Sequence, residues 1–128
     1  MADGQMTIVG SMGREPELKF TASRRALCSF VVAVSHRYKP AGSDEYSEET
    51  AWVDVTAWGT LGENIAASCD KGTRVICTGR LKQDEWEDKE TGKKRSKLTL
   101  TADSVGPDLR WATAVVEKLE RRGGPFDG

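Results

Sequence analysis

Apolar and polar residues alternate with a period of two over much of the chain, the spacing of strands whose successive side chains face opposite sides. Residues 6–11 read as a first strand that stops at Gly13 and at Pro16, which has no amide to give to a ladder, and residues 18–21 resume it. Residues 27–35 are a strand of another kind. Phe30, Val31, Val32, Ala33 and Val34 are all apolar, so both faces require cover: the domain's own core on one side, a second layer or another subunit on the other. The polar run KPAGSDEYSEE at 39–49 has the composition of a long mobile loop. In residues 50–58 the alternation is clean, with Val53, Val55 and Ala57 pointing one way and Trp52, Asp54, Thr56 and Trp58 the other.

One segment changes period. Leu61, Ile65 and Cys69 fall on one face of a short helix over 61–69, with Thr60 and Glu63 in the spacing of a capping box and Gly72 as a left-handed terminator. Residues 74–86 then form a long strand, 87–95 a charged turn around Thr91-Gly92, and 96–103 a returning strand with Leu98, Leu100 and Ala102 on one face. Beyond Pro107, Leu109, Ala112, Val115, Val116 and Leu119 fit a helix while Leu109, Trp111, Thr113 and Val115 fit a strand; periodicity leaves both open. The order β-β-β-α-β-β with glycines at the corners predicts an all-β domain with one short helix, a five-stranded Greek-key barrel of the OB-fold type, over residues 1–110. Residues 111–128 are left as a short extension and tail.

Composition narrows the class. With 128 residues, 38% hydrophobic and 30% charged, the chain suits one soluble domain able to bury its own core. Its longest apolar run is far short of a membrane span, and residues 1–5 lack the basic and apolar parts of a secretory signal, so a cytoplasmic protein is expected. Three cysteines, Cys28, Cys69 and Cys77, without a CxxC pair speak against a disulfide framework or zinc site. No cofactor is indicated. The net charge of −1 gives no global signature of a nucleic-acid binder, but the charge is segregated. Residues 71–97 hold nine basic and five acidic side chains, whereas residues 44–49 hold four acids and no base.

Two tryptophans, Trp52 and Trp58, share the face opposite the apolar residues of their own strand. Large aromatics normally go inside, so one reading packs them under a loop or in a subunit interface. The other makes them a stacking platform for unpaired bases, and Arg80, Lys82 and Trp86, which share a parity in the 74–86 strand, interleave cation and aromatic as single-stranded nucleic acid requires. Lys93, Lys94, Arg95 and Lys97 extend the basic surface toward phosphates. His36, the one histidine, lacks ligand-spaced partners and reads as a loop-edge residue; Cys28 and Cys77 read as buried thiols. The acids at 84–88 read as a solvated hairpin tip, and neither a nucleotide P-loop nor a hydrolase elbow is present.

The stretches MTIVGSMGREPELKF, FVVAVSHRY, AWVDVTAWGTLGENIA and KGTRVICTGRLKQDEW, with the close at 103–107, resemble the bacterial single-stranded DNA-binding proteins over about residues 5–112. The resemblance implies a homotetramer of OB-folds wrapped by DNA, with stacking aromatics at Tyr38, Trp52, Trp58 and Trp86. Tyr38 enters on the resemblance alone, since its parity is that of Phe30 and Val34. LRWATAVVEK after Pro107 is most similar to the actinobacterial branch, in which an extra segment clamps neighbouring subunits. Family members usually carry a long linker and an acidic tip containing Pro-Phe. Here Pro125-Phe126 follows Arg121-Arg122-Gly123-Gly124, and Glu117, Glu120 and Asp127 are cancelled by Lys118, Arg121 and Arg122. The expectation is a short paralogue with weak or absent recruitment of replication and repair proteins through this tail.

These readings point to a non-enzymatic, sequence-tolerant binder of single-stranded DNA serving replication, repair or recombination in the cytoplasm, associated with the nucleoid. The alternative is an interaction module of the replication-restart type on the same fold, with weak DNA binding. Such a module is expected to lose several stacking aromatics, and this chain keeps four.

Overall fold

The computed structural model describes residues 4–120. Six strands and one helix follow one another as β1 (Gln5–Met12), β2 (Glu17–Phe20), β3 (Ala26–Tyr38), β4 (Ser47–Trp58), α1 (Gly59–Ser68), β5 (Arg74–Glu87) and β6 (Lys94–Pro107). Five of the strands form a circuit: β1 pairs with β5, β5 with β6, β6 with β4, β4 with β3, and β3 returns to β1 through Ser11 and Met12. All these pairings are antiparallel except β4 with β6. This is the OB-fold circuit predicted from the element order. Short β2 lies outside it, paired among the described residues to β3 alone.

Alternation decides what the barrel encloses. Ile8 and Met12 of β1, Phe30 and Val32 of β3, Val55 of β4, Val75 and Cys77 of β5 and Leu100 of β6 face inward and are buried with Ile65 of α1. Gly10 and Gly79 occupy inward positions on β1 and β5, and each is a place where strands come very close. A side chain at Gly79 would run into the Thr101 carbonyl oxygen, and one at Gly10 into that of Ala33. At Gly79 the β5–β6 register also shifts, with Asp103 as the extra residue that bends the ribbon. Cys28, Cys69 and Cys77 are free thiols; burial raises the pKa of all three, that of Cys77 to about 12, so they stay protonated at neutral pH.

Several boundaries differ from the pattern-based expectation. The polar run at 39–49 is not all loop: β3 reaches Tyr38 and β4 begins at Ser47, so two paired strands project as an arm and only residues 39–46 connect them. His36 accordingly lies within a strand, its ring stacked on that of Tyr38 at 6.2 Å. The charged turn at 87–95 shrinks likewise, since Glu87 pairs with Lys94. Residues 108–120 form neither helix nor strand, although hydrophobic spacing there fits both periods.

The helix starts two residues early. Its N-cap is Trp58, which makes no side-chain capping bond, and Thr60 lies inside the first turn. The strand runs straight into the helix, so the capping pair never forms. Gly72 does adopt a left-handed conformation, φ 92°, but in the turn that follows; the helix ends on extended Cys69.

The doubly apolar strand finds part of its cover within the chain. Cys28, Phe30 and Val32 face the core, while Val31 and Ala33 on the outer side are half-buried. Gly13 lies over them, its amide donating to the Val31 carbonyl at 2.8 Å, and Trp52 stands opposite Ala33 with its ring against Gly13. The second layer is therefore supplied, at least in part, by the β1–β2 connection and a tryptophan.

Candidate nucleic-acid interface

Cross-strand register turns the outer parity of four strands into one surface. Ser29, Thr56, Thr101 and Arg80 lie side by side across β3, β4, β6 and β5; Val31, Asp54, Thr99 and Lys82 form the next row. Leu27 opposite Trp58 and Ala33 opposite Trp52 extend the surface toward its two ends. A groove of about 370 Å³ follows these rows, bounded by Trp58, Thr56, Asp54, Thr99, Thr101, Lys82, Asp84 and Lys97, with Arg14 and Glu17 from the β1–β2 side.

The aromatics flank this groove without all lining it. Trp58 forms part of its wall. Trp52, on the same face of β4, is 65% exposed, and Trp86, on the parity of Lys82 and Asp84, is 46% exposed. Among the described residues, no loop buries either ring. Tyr38 stands on the other face of the β3–β4 arm, opposite Ser47, as its parity requires.

The predicted cations divide into two groups. Lys82 and Lys97 reach the groove, but each holds a carboxylate there: Lys82 Nζ lies 3.5 Å from Asp84 and Lys97 Nζ 3.5 Å from Asp54. Arg95, opposite Trp86, donates through Nε to Asp88 at 2.8 Å, and the amides of Glu90 and Thr91 donate to the same carboxylate. The Glu90 amide and then the Arg95 guanidinium hold Asp88 below the usual aspartate range. Arg80 lies on the groove face, opposite Thr101, while Lys94 pairs with Glu87 on the opposite parity and Lys93 sits in the turn. The basic run at 93–97 is therefore split between two faces rather than gathered on one.

An outward sheet face with a shallow groove, exposed indoles at its edges and lysines in its floor is suited to hold a flexible, flat-faced polyanion. Comparison with known proteins agrees. The model of the single-strand binding protein family matches residues 4–108. The chain belongs to that family. It is 42% identical to the single-stranded DNA-binding protein of Mycobacterium leprae over 95% of this chain and 73% of that one. The same protein of Mycolicibacterium smegmatis is also 42% identical, over 94% and 73%, and that of Corynebacterium glutamicum 40%, over 96% and 55%.

Within this single-strand binding fold, pattern reading missed Arg14 in the groove and Arg25 at its end. Arg14 follows Gly13 in an irregular segment, where periodicity carries no signal. Arg25 precedes β3, and its guanidinium lies 4.4 Å from the Trp58 ring centroid. The parity 25, 27, 29 continues the outer row of β3 and could have revealed it. Among the described residues, no cluster of His, Cys, Asp and Glu is arranged to hold a metal, and no helix is long and apolar enough to cross a membrane. The Pro125-Phe126 tail falls outside the described residues.

Proposed function

We propose that this protein binds single-stranded DNA without marked sequence preference, holding bases on Trp52, Trp58 and Trp86 and phosphates on Arg80, Lys82, Lys97 and Arg95. Lys93, Lys94 and Tyr38 then serve a strand that continues around the two projecting arms. The observation that carries this reading is the shared outer face: three indoles remain exposed or half-exposed on the side where the groove lies, although each would gain by burial. Titration with oligo-dT tests it. Strong quenching of tryptophan emission is expected, with little response to duplex DNA, whose bases are stacked on one another; equal responses to both would sink the proposal.

Charge within the groove is balanced, three cations (Arg14, Lys82, Lys97) against three carboxylates (Glu17, Asp54, Asp84). A phosphate that binds Lys82 or Lys97 must displace the carboxylate each of them holds. Asp54→Asn removes that competitor at Lys97 and is expected to tighten oligo-dT binding severalfold and to steepen its salt dependence, by about 0.7 in log–log slope for one further phosphate neutralised. Unaltered affinity and slope would mean that the strand does not pass Lys97.

We further propose a homotetramer acting in replication, repair or recombination in the cytoplasm at the nucleoid, with residues 1–110 as its folding unit. Two features support self-association. An apolar hollow lined by Ile76, Val105 and Gly106 opens on the β5–β6 surface, and Leu109, Trp111, Val115, Val116 and Leu119 are exposed on the segment that follows. Light scattering at micromolar concentration is expected to give four times the chain mass; a monomer would refute this. Recruitment of partner proteins through residues 117–128 is proposed to be weak, because its acids are matched by bases, and a pull-down that depends on these residues would overturn that.

A further inference from the structure

We propose that Arg25, through its stacking on Trp58, is a nucleotide-binding residue of the groove, giving its guanidinium to the phosphate of the nucleotide whose base rests on that indole. The inference rests on the single-stranded DNA reading above and adds a contact that neither charge runs nor strand parity in β5 and β6 had indicated.

Three observations carry it. The first is position: Leu27 and Ser29 line the groove and Leu27 stands opposite Trp58, so Arg25, next on the same parity, falls at the groove's end with its Cζ 4.4 Å from the indole centroid. Such a contact orients the guanidinium while leaving N–H donors free at its rim.

The second is availability. Lys82, Lys97 and Arg95 each lie against a carboxylate, but among the described residues none lies within ion-pair distance of Arg25. Its charge is uncompensated and solvent-exposed, so a phosphate arriving there displaces only water and counterions.

The third is the turn that presents it. The Thr21 amide donates to the Arg25 carbonyl at 2.9 Å, the Arg25 amide to Thr21 Oγ1 at 3.1 Å, and Arg24 adopts a left-handed φ of 63°. That conformation is costly for a side-chain-bearing residue, and it closes the turn tightly enough to set Arg25 at the head of β3 facing the indole.

The test compares the full chain with Arg25→Ala and Arg25→Lys, following binding of labelled oligo-dT by anisotropy over a range of salt. Arg25→Ala is expected to weaken binding roughly tenfold at low salt, the effect of losing one charge-assisted hydrogen bond, and to lower the log–log salt slope by about 0.7. Arg25→Lys is expected to keep the slope while recovering only part of the affinity, since an ammonium neutralises a phosphate but lacks the planar fork. Unchanged affinity and slope in Arg25→Ala would show that the guanidinium merely packs on the ring, and tighter binding would show that it covers the ring as a lid. Either result overturns this proposal while leaving the functional reading intact. Failure of the unaltered chain to bind oligo-dT would reject both.

Discussion

Replacing Trp52 and Trp86 together by alanine is expected to weaken oligo-dT binding by about thirtyfold or more while leaving the barrel folded. Truncating a stacking aromatic costs about 1–3 kcal/mol per base, and 1.4 kcal/mol is a factor of ten in affinity. The two rings lie on different strands with no contact between them, so their losses should add. Neither belongs to the buried core formed by Phe30, Val32, Val55 and Leu100. Circular dichroism should therefore show the same β signal, with melting lowered by only about a few degrees as Trp52 leaves Val31 and Ala33 less covered. Anisotropy of a labelled oligonucleotide measures the affinity without depending on the deleted fluorophores. Undiminished binding would remove these two indoles from the interface, and unfolding of the double variant would make them structural.

The largest effect on stability is expected at Gly79. Its Cβ would fall on the Thr101 carbonyl, with the Ala102 Cα at 2.8 Å, so the obstacle is backbone of the neighbouring strand and no rotamer change relieves it. Gly79→Ala must push β5 away from β6 where the ribbon bends into the barrel. A cost above about 3 kcal/mol is expected, a large fraction of the 5–15 kcal/mol that holds a typical domain together. Thermal denaturation should show melting lowered by more than about 10 °C. Gly42→Ala is the control for backbone effects, because Gly42 has a left-handed φ of 81° but nothing within 4 Å of its missing Cβ. A modest loss there with a severe one at Gly79 would assign the damage to strand contact. Equal losses at the two sites would instead point to backbone conformation.

The interface is built from contacts of unlike range. Placing Trp52, Asp54, Thr56 and Trp58 on one face needs only the two-residue period of a single strand. Pairing Lys97 with Asp54 needs β6 to lie parallel beside β4 with Thr99 opposite Asp54, a relation that no local pattern encodes. The basic run at 93–97 shows the difference most clearly. Along the sequence it is one patch, yet pleating sends Lys94 and Arg95 to opposite faces, and Asp88 then claims Arg95.

By itself the sequence determined the parts governed by local geometry and composition: the strands and their inward and outward faces, the single helix, the corners marked by glycine and the outer position of Trp52, Trp58, Arg80, Lys82 and Trp86. Motif resemblance named the family and supplied Tyr38, which alternation places with the inward residues. Only the tertiary structure decided the closure of β1 onto β3 and β5, the cover over Val31 and Ala33, the balance of charge in the groove and the stacking of Arg25 on Trp58. Each of these depends on residues far apart in the chain meeting at a set register and distance. It also decided the start of α1, where the strand leading into the helix removed the turn that Thr60 would have capped. A period of two or four is a property of one segment, whereas a cation's partner is chosen by whatever the fold brings within about 4 Å of it.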